Sequence, residues 1–364
     1  MITNPIADGV VDVHAHWLPR ELFTLPPGAP YGPMHDRDGQ LYLGDLPLSI
    51  ATEAMSDPDA AVRDMDHGQL YLGDLPLSIA TEAMSDPDAA VRDMDRAAVG
   101  VRVLSAPPFA FPLAPGDEAA GYADAFNAAL GEVVATSEGR LLGLGMVTLG
   151  DAAQATRQLT MLAETEGIGG VAIPPVVGGG SLDSDPLRHV LAEATRLGLA
   201  VLVHPMQLAR PEWSNYYLAN LIGNPVESAT AVATLLLSGL VDELPGLRIC
   251  FVHGGGCAPG LVGRWSHAWT ARPDVNARAS RRPGDAFRDL YFDTVTHGEA
   301  QLALLNQLAG TDKILCGSDY PFDMAESEPA RFATEYGPGA DALDRAAQAF
   351  LGVRATHTAS LAAS

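Results

Sequence analysis

Short apolar runs alternate with longer amphipathic segments along most of this chain. Apolar residues that recur every three or four positions predict helices at Asp117–Glu138, Asp151–Glu166, Pro186–Leu197, Pro225–Leu240 and Glu299–Leu308. Eight runs rich in Val, Ile and Leu predict buried strands: Val10–His14, Val101–Ser105, Leu141–Leu149, Gly170–Ile173, Ala200–His204, Arg248–His253, Leu290–Thr294 and Lys313–Ser318. Because strands that alternate with helices form a parallel sheet, this order predicts an α/β fold, a closed (β/α)8 TIM barrel. We expect a single barrel domain over residues 1–364.

A perfect duplication interrupts the alternation between the first two strands. Residues 39–66 are identical to residues 68–95, and His67 is the single spacer. Two units are too few for a solenoid, so we expect a tandem insertion that enlarges a barrel loop, where added length costs little closure entropy. The helix of the second copy should take the regular barrel position, and the first copy should form a surface element or lid. Both a genuine insertion and a duplication introduced in cloning or assembly fit this pattern.

The composition narrows the classes of partner. The formal net charge is -23, so binding to a nucleic-acid backbone, which requires clustered Lys and Arg, is not expected. Apolar stretches are broken by Gly, Pro or charge before about 18 residues, and the first residues do not resemble an export signal, so we expect no membrane span. The chain has 3 cysteines, too few for a disulfide framework, which favours a cytoplasmic protein.

Imidazoles and a carboxylate lie at the ends of several predicted strands. His14 and His16 are separated by one residue on the first strand, and such a pair faces the same side and can share one ion. His204 ends the fifth strand and Asp319 follows the eighth. In a barrel these ends meet at one mouth, so we predict a catalytic site in which His14, His16, His204 and Asp319 bind one divalent metal ion with a position left open. This ligand set suits Zn²⁺ best, with Mn²⁺ possible.

His253 follows the sixth strand and precedes three glycines, which would let the backbone approach a ligand closely. A neutral histidine beside a metal-bound water is placed to act as a general acid or base, so we predict that His253 transfers a proton. Orientation of a ligand and direct metal ligation remain alternatives for this residue. The single lysine, Lys313, starts the eighth strand, away from the predicted metal. A carboxylated lysine bridge is therefore not expected, which favours a mononuclear site.

These motifs together resemble the amidohydrolase superfamily, and within it the branch of aminocarboxymuconate semialdehyde decarboxylase and related non-oxidative decarboxylases. The resemblance runs from the first strand to about Phe322. The motifs that show it are Val-His204-Pro, Val-His253-Gly-Gly-Gly with the preceding Leu-Pro-Gly-Leu-Arg-Ile-Cys-Phe, Gly-Arg264-Trp-Ser-His-Ala-Trp, and Gly-Ser-Asp319-Tyr-Pro-Phe. The combination is specific to this branch, whereas the His-x-His pair alone indicates only the superfamily.

The resemblance implies roles for further residues. It implies one zinc held by His14, His16, His204 and Asp319, with His253 activating its water and Asp319 part of the catalytic set. Arg264 matches an arginine that binds a substrate carboxylate from the neighbouring subunit, and Arg272 matches a second arginine near that interface, which implies a homodimer. Tyr216 falls where the family has an active-site tryptophan, and Phe322 matches an aromatic wall, to which we add Trp17.

One departure from the family changes which substrate we expect. The other arginine that binds a substrate carboxylate in the family aligns with Ser78, or with Ser49 in the first copy. Arg210, in the loop after the fifth strand, could substitute for it. The substrate of the named decarboxylase is therefore not expected to be that of this chain.

The leading hypothesis is a metal-dependent non-oxidative decarboxylase of an aromatic or muconate-like carboxylic acid, in which metal-bound water and His253 mediate proton transfer. A mononuclear zinc hydrolase of an amide, lactone or vinylogous C–C bond would use the same residues. A barrel that binds metal but has lost catalysis is the alternative from another class of protein. Retention of both His253 and Asp319 argues against it.

Overall fold

The computed structural model describes residues 9–29, 33–48, 70–207 and 210–353, and eight parallel strands form its central sheet. In chain order the sheet contains β1 (Val10–His16), β5 (Val99–Ser105), β6 (Leu141–Gly145), β7 (Ile168–Ile173), β8 (Ala200–Val203), β9 (Ile249–Phe251), β10 (Tyr291–Asp293) and β11 (Ile314–Leu315). Two isolated bridges, Asp12 to Cys316 and Ala15 to Tyr320, join β11 to β1. The predicted TIM barrel is confirmed, and each predicted strand overlaps an observed one.

Helices occupy most connections between the barrel strands. They are α1 (Thr81–Ser85), α2 (Pro87–Arg96), α3 (Asp117–Thr136), α4 (Ala152–Glu164), α5 (Leu187–Leu197), α6 (Asn224–Leu237), α7 (Leu240–Glu243), α8 (Ala258–Ala271), α9 (Pro283–Ala286), α10 (Glu299–Ala309), α11 (Pro329–Tyr336) and α12 (Ala340–Leu351). The five helices predicted from periodicity each begin within one residue of the expected position. Local chemistry explains such starts: the Asp151 carboxylate accepts from the backbone N–H groups of Ala153 and Gln154 and so caps α4.

The apolar side chains form two clusters, one on each face of the sheet. Alternate residues of all eight strands join one cluster, which we take as the barrel interior; Val11, Val101, Leu144 and Leu202 belong to it, as does Phe350 of α12. The opposite strand faces pack with the surrounding helices in the second, larger cluster. The interior is therefore filled with side chains, and chemistry is confined to the mouth of the barrel.

A small antiparallel sheet lies between β1 and α1 in the chain. It contains β2 (Met34–Arg37), β3 (Gln40–Leu48) and β4 (Leu70–Ala80), in the order β2-β3-β4. Strand β3 comes from the first copy of the duplicated segment and β4 from the second, so the two copies pair with each other. Helix α2 of the second copy directly precedes β5, as expected. The predicted helix of the first copy lies outside the described residues.

Among the helices of the described ranges, none combines the length and the apolar character needed to cross a lipid bilayer.

Candidate metal centre

Four imidazoles and one carboxylate meet at the carboxyl ends of the barrel strands. The Oδ1 atom of Asp319 lies 3.2 Å from His14 Nε2, 3.1 Å from His16 Nε2 and 3.9 Å from His204 Nε2. Its Oδ2 atom lies 3.3 Å from Nε2 of His253. Residues from β1 and from beyond β8, β9 and β11, up to 305 positions apart by residue number, therefore surround one carboxylate.

A bulge in β1 turns the two histidines of the first strand toward this site. Asp12 pairs with Arg102 of β5, but the next pair is Ala15 with Leu104, so β1 contains one extra residue at this point. Before the bulge the odd-numbered Val11 and Val13 face the barrel interior. After it the even-numbered side chains do so, since a one-residue insertion exchanges the two faces of a strand. His14 and His16 consequently point into the mouth.

Each of the three innermost histidines has its Nδ1 atom held by a fixed acceptor. His14 Nδ1 lies 2.6 Å from Oδ2 of Asp293, His16 Nδ1 lies 3.2 Å from the carbonyl oxygen of Ala106, and His204 Nδ1 lies 2.7 Å from the carbonyl oxygen of Pro205. A carbonyl or carboxylate oxygen can only accept, so Nδ1 carries the proton in each ring. In the neutral form of each ring the lone pair of Nε2 then faces Asp319, the arrangement that metal-binding histidines require.

The donor set fits a metal ion. Nε2 of His14 and Nε2 of His204 are buried and have no hydrogen-bond partner among the described residues; the contact of His14 Nε2 with Asp319 is close but not in hydrogen-bonding geometry. One donor atom each from His14, His204, His253 and Asp319 lies within 4.8 Å of all the others. Buried polar atoms without partners are costly, and a cation shared among them would satisfy them together. The cluster can therefore hold one metal ion.

Burial and mutual charge set the protonation of these groups. Burial lowers the pKa of His204 to about 3 and also lowers that of His16, although Asp319 opposes both shifts. Burial also disfavours charge on His14, but the carboxylates of Asp319 and Asp293 outweigh it and raise the pKa of His14 to about 10. For Asp319 burial acts to raise the pKa, yet the imidazoles, His14 foremost, hold it well below its usual range. One proton on His14 thus compensates the buried carboxylate of Asp319 when metal is absent.

His253 differs from the other three histidines. Its side chain is 16% exposed, against 0% for His14 and His16 and 5% for His204. Its Nδ1 atom has no hydrogen-bond partner among the described residues, and its one acceptor, Oδ2 of Asp319, lies on the Nε2 side at 3.3 Å. Its backbone has a φ of 55°, in the left-handed region, and the φ of Asp319 is 64°. His253 is thus the most exposed imidazole of the cluster, with one ring nitrogen unbonded among the described residues.

Asp293 is a site residue that the sequence-based prediction missed. This buried residue ends β10 and binds Nδ1 of His14 through Oδ2, while its Oδ1 accepts from the backbone N–H of Gly254 at 2.8 Å. One carboxylate thus orients a predicted ligand and the turn that carries His253. Gly317 lies against this pair, because a Cβ atom there would come within 2.9 Å of Asp293 Cβ and 3.1 Å of His14 Cβ. The signal was present, since Asp293 also lies at the end of a predicted strand.

The predicted aromatic residues take different positions around the site. The Phe322 ring lies 5.0 Å from the His16 ring and 6.4 Å from the Phe109 ring, so two phenylalanines flank the histidines on one side. Trp17 is 3% exposed, and its indole N–H donates to the carbonyl oxygen of Ser85, which places it in the core. Tyr216 is 86% exposed. Its role and that of Trp17 in substrate binding stay predictions.

Tyr217, the neighbour of Tyr216, is less exposed, at 49%. Burial raises the pKa of the Tyr217 phenol, and the negative charges of Asp323 and Asp319 raise it further.

The predicted substrate arginines lie on the surface of the single chain. Arg264 is an exposed residue of α8, and exposed Arg272 pairs with Asp274 at 2.8 Å just beyond the same helix. Arg210 is exposed, and its guanidinium lies 4.8 Å from the centre of the Trp213 ring. An action of Arg264 across a subunit interface stays a prediction.

Comparisons with known proteins agree with this geometry. The chain is 31% identical over 239 residues to 2-amino-3-carboxymuconate-6-semialdehyde decarboxylase of Dictyostelium discoideum, covering 65% of this chain and 67% of that protein. Its fold matches 5-carboxyvanillate decarboxylase from Sphingomonas paucimobilis with a TM-score of 0.73 and 19% identity, over 95% of this chain and 99% of the other.

A second solved structure with the same fold contains a metal. It is 5-carboxyvanillate decarboxylase from Novosphingobium aromaticivorans, complexed with manganese and 4-hydroxy-3-methoxy-5-nitrobenzoic acid, with a TM-score of 0.69 and 16% identity over 97% of this chain and 98% of the other. The family described as amidohydrolase matches residues 11–353, which include the whole cluster of histidines and Asp319. The chain therefore belongs to the amidohydrolase family.

Proposed function

We propose that this chain is a metal-dependent non-oxidative decarboxylase, a carboxy-lyase that acts on an aromatic or muconate-like carboxylic acid. The observation that carries the proposal is the convergence of three buried Nε2 atoms on Asp319, each in a ring whose Nδ1 is held by an acceptor. The curated relative described above is named as a decarboxylase, as are the two solved structures with this fold.

The proposed ligands are His14, His16, His204 and Asp319. Three imidazole nitrogens and one carboxylate oxygen are a donor set that suits Zn²⁺, and we propose zinc; the Novosphingobium protein binds manganese, so metal analysis must separate the two. When bound, such an ion supplies a Lewis acid for the carboxylate of the substrate or for a neighbouring hydroxyl group. The Nδ1 partners Asp293, Ala106 and Pro205 keep the three rings oriented whether or not the ion is present.

His253 is proposed to deliver the proton that the reaction requires. It touches Asp319 through Nε2, while its Nδ1 has no partner among the described residues. Transfer of a proton from His253 to the substrate carbon that bears the carboxylate forms a C–H bond and interrupts conjugation. The C–C bond to the carboxylate then breaks, carbon dioxide leaves, and the electron pair restores the π-system. The reaction consumes one proton for each carbon dioxide released.

The aromatic side of the mouth supports a planar substrate. Phe322 and Phe109 meet edge to face beside His16, and a conjugated ring or diene packs on such surfaces more favourably than a flexible aliphatic acid. A homodimer in which Arg264 reaches the site of the neighbouring subunit would add a cation for a substrate carboxylate. We propose this arrangement because Arg264 is exposed on α8, where a second chain can contact it.

Carbon dioxide release tests the proposal directly. Protein stripped with a chelator and reloaded with Zn²⁺ or Mn²⁺ should release carbon dioxide from members of a panel of hydroxylated benzoic acids, carboxyvanillates and muconate-like acids, and the stripped protein should not. A parallel panel of amides and lactones tests for hydrolysis. Turnover that persists after complete removal of metal would contradict the proposal, as would stoichiometric metal binding with hydrolysis but no decarboxylation.

A further inference from the structure

We propose that Asp12 and Arg102 act as a clasp that fastens β1 to β11 and so positions His14 and Asp319 before a metal ion binds. The proposal rests on the metal ligands assigned above. It adds two positioning residues, neither of which belongs to the predicted ligand set.

The junction between β1 and the segment that begins with β11 lacks a continuous ladder of paired residues. Neighbouring strands elsewhere pair through ladders, such as the four consecutive pairs between β7 and β8. In the described residues β11 meets β1 at two isolated bridges, supported by backbone bonds from Val13 to Cys316, from His16 to Tyr320 and from Asp319 to His14. The predicted ligands His14 and Asp319 lie on opposite sides of this junction, so its geometry sets the distance between them.

The Asp12 carboxylate adds a side-chain link between β1 and Ser318, which follows β11. Its Oδ1 accepts from the backbone N–H of His14 at 3.2 Å and from that of Ser318 at 3.0 Å. Its Oδ2 accepts from the Ser318 hydroxyl at 2.6 Å and from Nε of Arg102 at 2.8 Å. Four donors thus converge on two oxygen atoms, and three of them belong to the predicted ligand His14 or to Ser318, the neighbour of the predicted ligand Asp319.

Arg102 of β5 holds the Asp12 carboxylate in place. The guanidinium is fully buried, and Nη2 donates to Oδ2 of Asp93 at 2.9 Å while Nη1 donates to the carbonyl oxygen of Ala90 at 3.3 Å. The ring of Tyr320, the residue after Asp319, lies over the guanidinium carbon at 4.4 Å. A buried guanidinium held by three hydrogen bonds and an aromatic ring cannot move without breaking several contacts, so Arg102 fixes the position of Asp12.

The contact pattern explains why a carboxylate is required at position 12. An asparagine has the same shape but offers one acceptor oxygen, and its amide group would face donors that it cannot satisfy. Asp12→Asn should therefore loosen the junction without creating a cavity. Asp93→Asn is the matched control, because it also removes one carboxylate from Arg102 but contacts neither His14 nor Ser318.

The test measures binding of Co²⁺ to the full chain after chelation, using the visible absorption bands of the ion, together with hydrogen exchange of the metal-free protein. We expect Asp12→Asn to weaken Co²⁺ binding by about 10- to 100-fold, the range for partners that orient metal ligands, and to alter the absorption spectrum. In the metal-free variant the segments around His14 and Asp319 should exchange faster, and Co²⁺ should restore their protection. Asp93→Asn leaves Asp12 with all four of its donors and should lose clearly less Co²⁺ affinity than Asp12→Asn.

Unchanged Co²⁺ affinity in Asp12→Asn would overturn the clasp, and so would equal losses in Asp12→Asn and Asp93→Asn, since that result indicates a purely structural role. If Asp12→Asn does not fold, Ser318→Ala removes one of the four donors and should show a smaller loss of affinity with the same spectral change. Unaltered Co²⁺ affinity and spectrum in Ser318→Ala would then overturn the clasp. Failure of the wild type to bind any metal would instead refute the proposed function.

Discussion

The barrel has two arcs that differ in chemistry. Strands β8, β9, β10, β11 and β1 carry or immediately precede His204, His253, Asp293, Asp319 and the His14–His16 pair. Strands β5, β6 and β7 pair through ladders and present the buried apolar side chains Val103, Leu144 and Ala172 to the interior. We call these the polar arc and the apolar arc. The apolar arc is a scaffold of backbone pairing and apolar packing, whereas the polar arc adds side-chain contacts between its site residues to its strand pairing.

The polar arc also contains strained backbone that the apolar strands lack. His253 and Asp319 both have left-handed φ values, which cost free energy in residues other than glycine. Hydrogen bonds compensate for this strain: Asp319 N–H donates to the His14 carbonyl at 2.8 Å, and Gly254 N–H donates to Asp293. The left-handed site residues and the carboxylates that face them thus lie in the polar arc, and Arg102 on β5 is a buried charge of the apolar arc that contacts it. Substitutions in the two arcs should therefore affect different properties.

The largest effect should come from removing the central carboxylate of the polar arc. Asp319→Ala leaves four imidazoles without their shared anion, and we expect loss of stoichiometric metal binding and of turnover. Metal content after dialysis, measured by mass spectrometry, checks this result. Asp124→Ala is the control, since it removes a half-exposed carboxylate from α3 and should bind metal normally. An Asp319→Ala protein that retains one tightly bound ion would contradict the proposed ligand set.

Within the polar arc, replacing His253 should reduce turnover without the loss of metal that follows replacement of a ligand. His253→Ala should keep its metal but lose turnover by about 10²- to 10⁴-fold, the usual contribution of a general acid or base. Metal content and the rate of carbon dioxide release, measured on the same sample, provide the comparison. His189→Ala, which removes an imidazole bonded to Thr156 away from the cluster, should leave both unchanged. A normal rate in His253→Ala would show that the proton comes from elsewhere.

A core substitution in the apolar arc should lower the stability of the protein but leave its metal affinity unchanged. Leu144 on β6 is fully buried in the barrel interior, so Leu144→Ala should lower the free energy of unfolding by about 2–5 kcal/mol through lost burial and cavity formation. Urea denaturation of the metal-free protein measures this change. Metal affinity of the folded variant should stay near that of the wild type. A large loss of affinity would show that the two arcs are coupled and that the distinction between them fails.

The smallest effect concerns the pH dependence of metal binding. The pKa of His14 is raised to about 10 in the metal-free protein, so His14 is protonated at neutral pH and must lose that proton to bind an ion. Raising the pH from 6.5 to 8.5 makes loss of that proton less costly, although His14 stays largely protonated in the metal-free protein, and apparent affinity should tighten by up to about tenfold per unit. Calorimetry in buffers of different ionisation enthalpy should detect release of a proton on binding. An affinity that is constant over this range would exclude a protonated His14.

Much of the scaffold could be predicted from the sequence because its signals are local. Helices α3, α4, α5, α6 and α10 follow from a period of three to four residues, and the strands follow from short apolar runs with regular spacing. His14, His16, His204, His253 and Asp319 were identifiable for a related reason, since each lies where a predicted strand ends. Asp293 meets the same criterion and was still missed, because a single carboxylate without a neighbouring ligand gives no motif.

Other features depend on contacts that no local pattern encodes. Simple alternation from Val11 and Val13 would turn His14 and His16 away from the interior, and only the bulge against β5 reverses their direction. Trp17 and Tyr216 look equally suited to an aromatic wall, yet one is buried in the core and the other is the most exposed large apolar side chain described. Register and packing decide such cases, since both depend on strands that are distant in the chain.

By itself the sequence determined the barrel class, the order of its elements and the residues able to bind a metal, because periodicity and strand-end chemistry are properties of short segments. Tertiary structure decided which nitrogen of each histidine faces the site, which carboxylate orients His14, and how Asp12 and Arg102 bridge β1 and β11. These properties arise when segments up to 306 residues apart meet, as in the bond from Ser318 to Asp12. Hydrogen-bond geometry between such segments exists only in the folded chain.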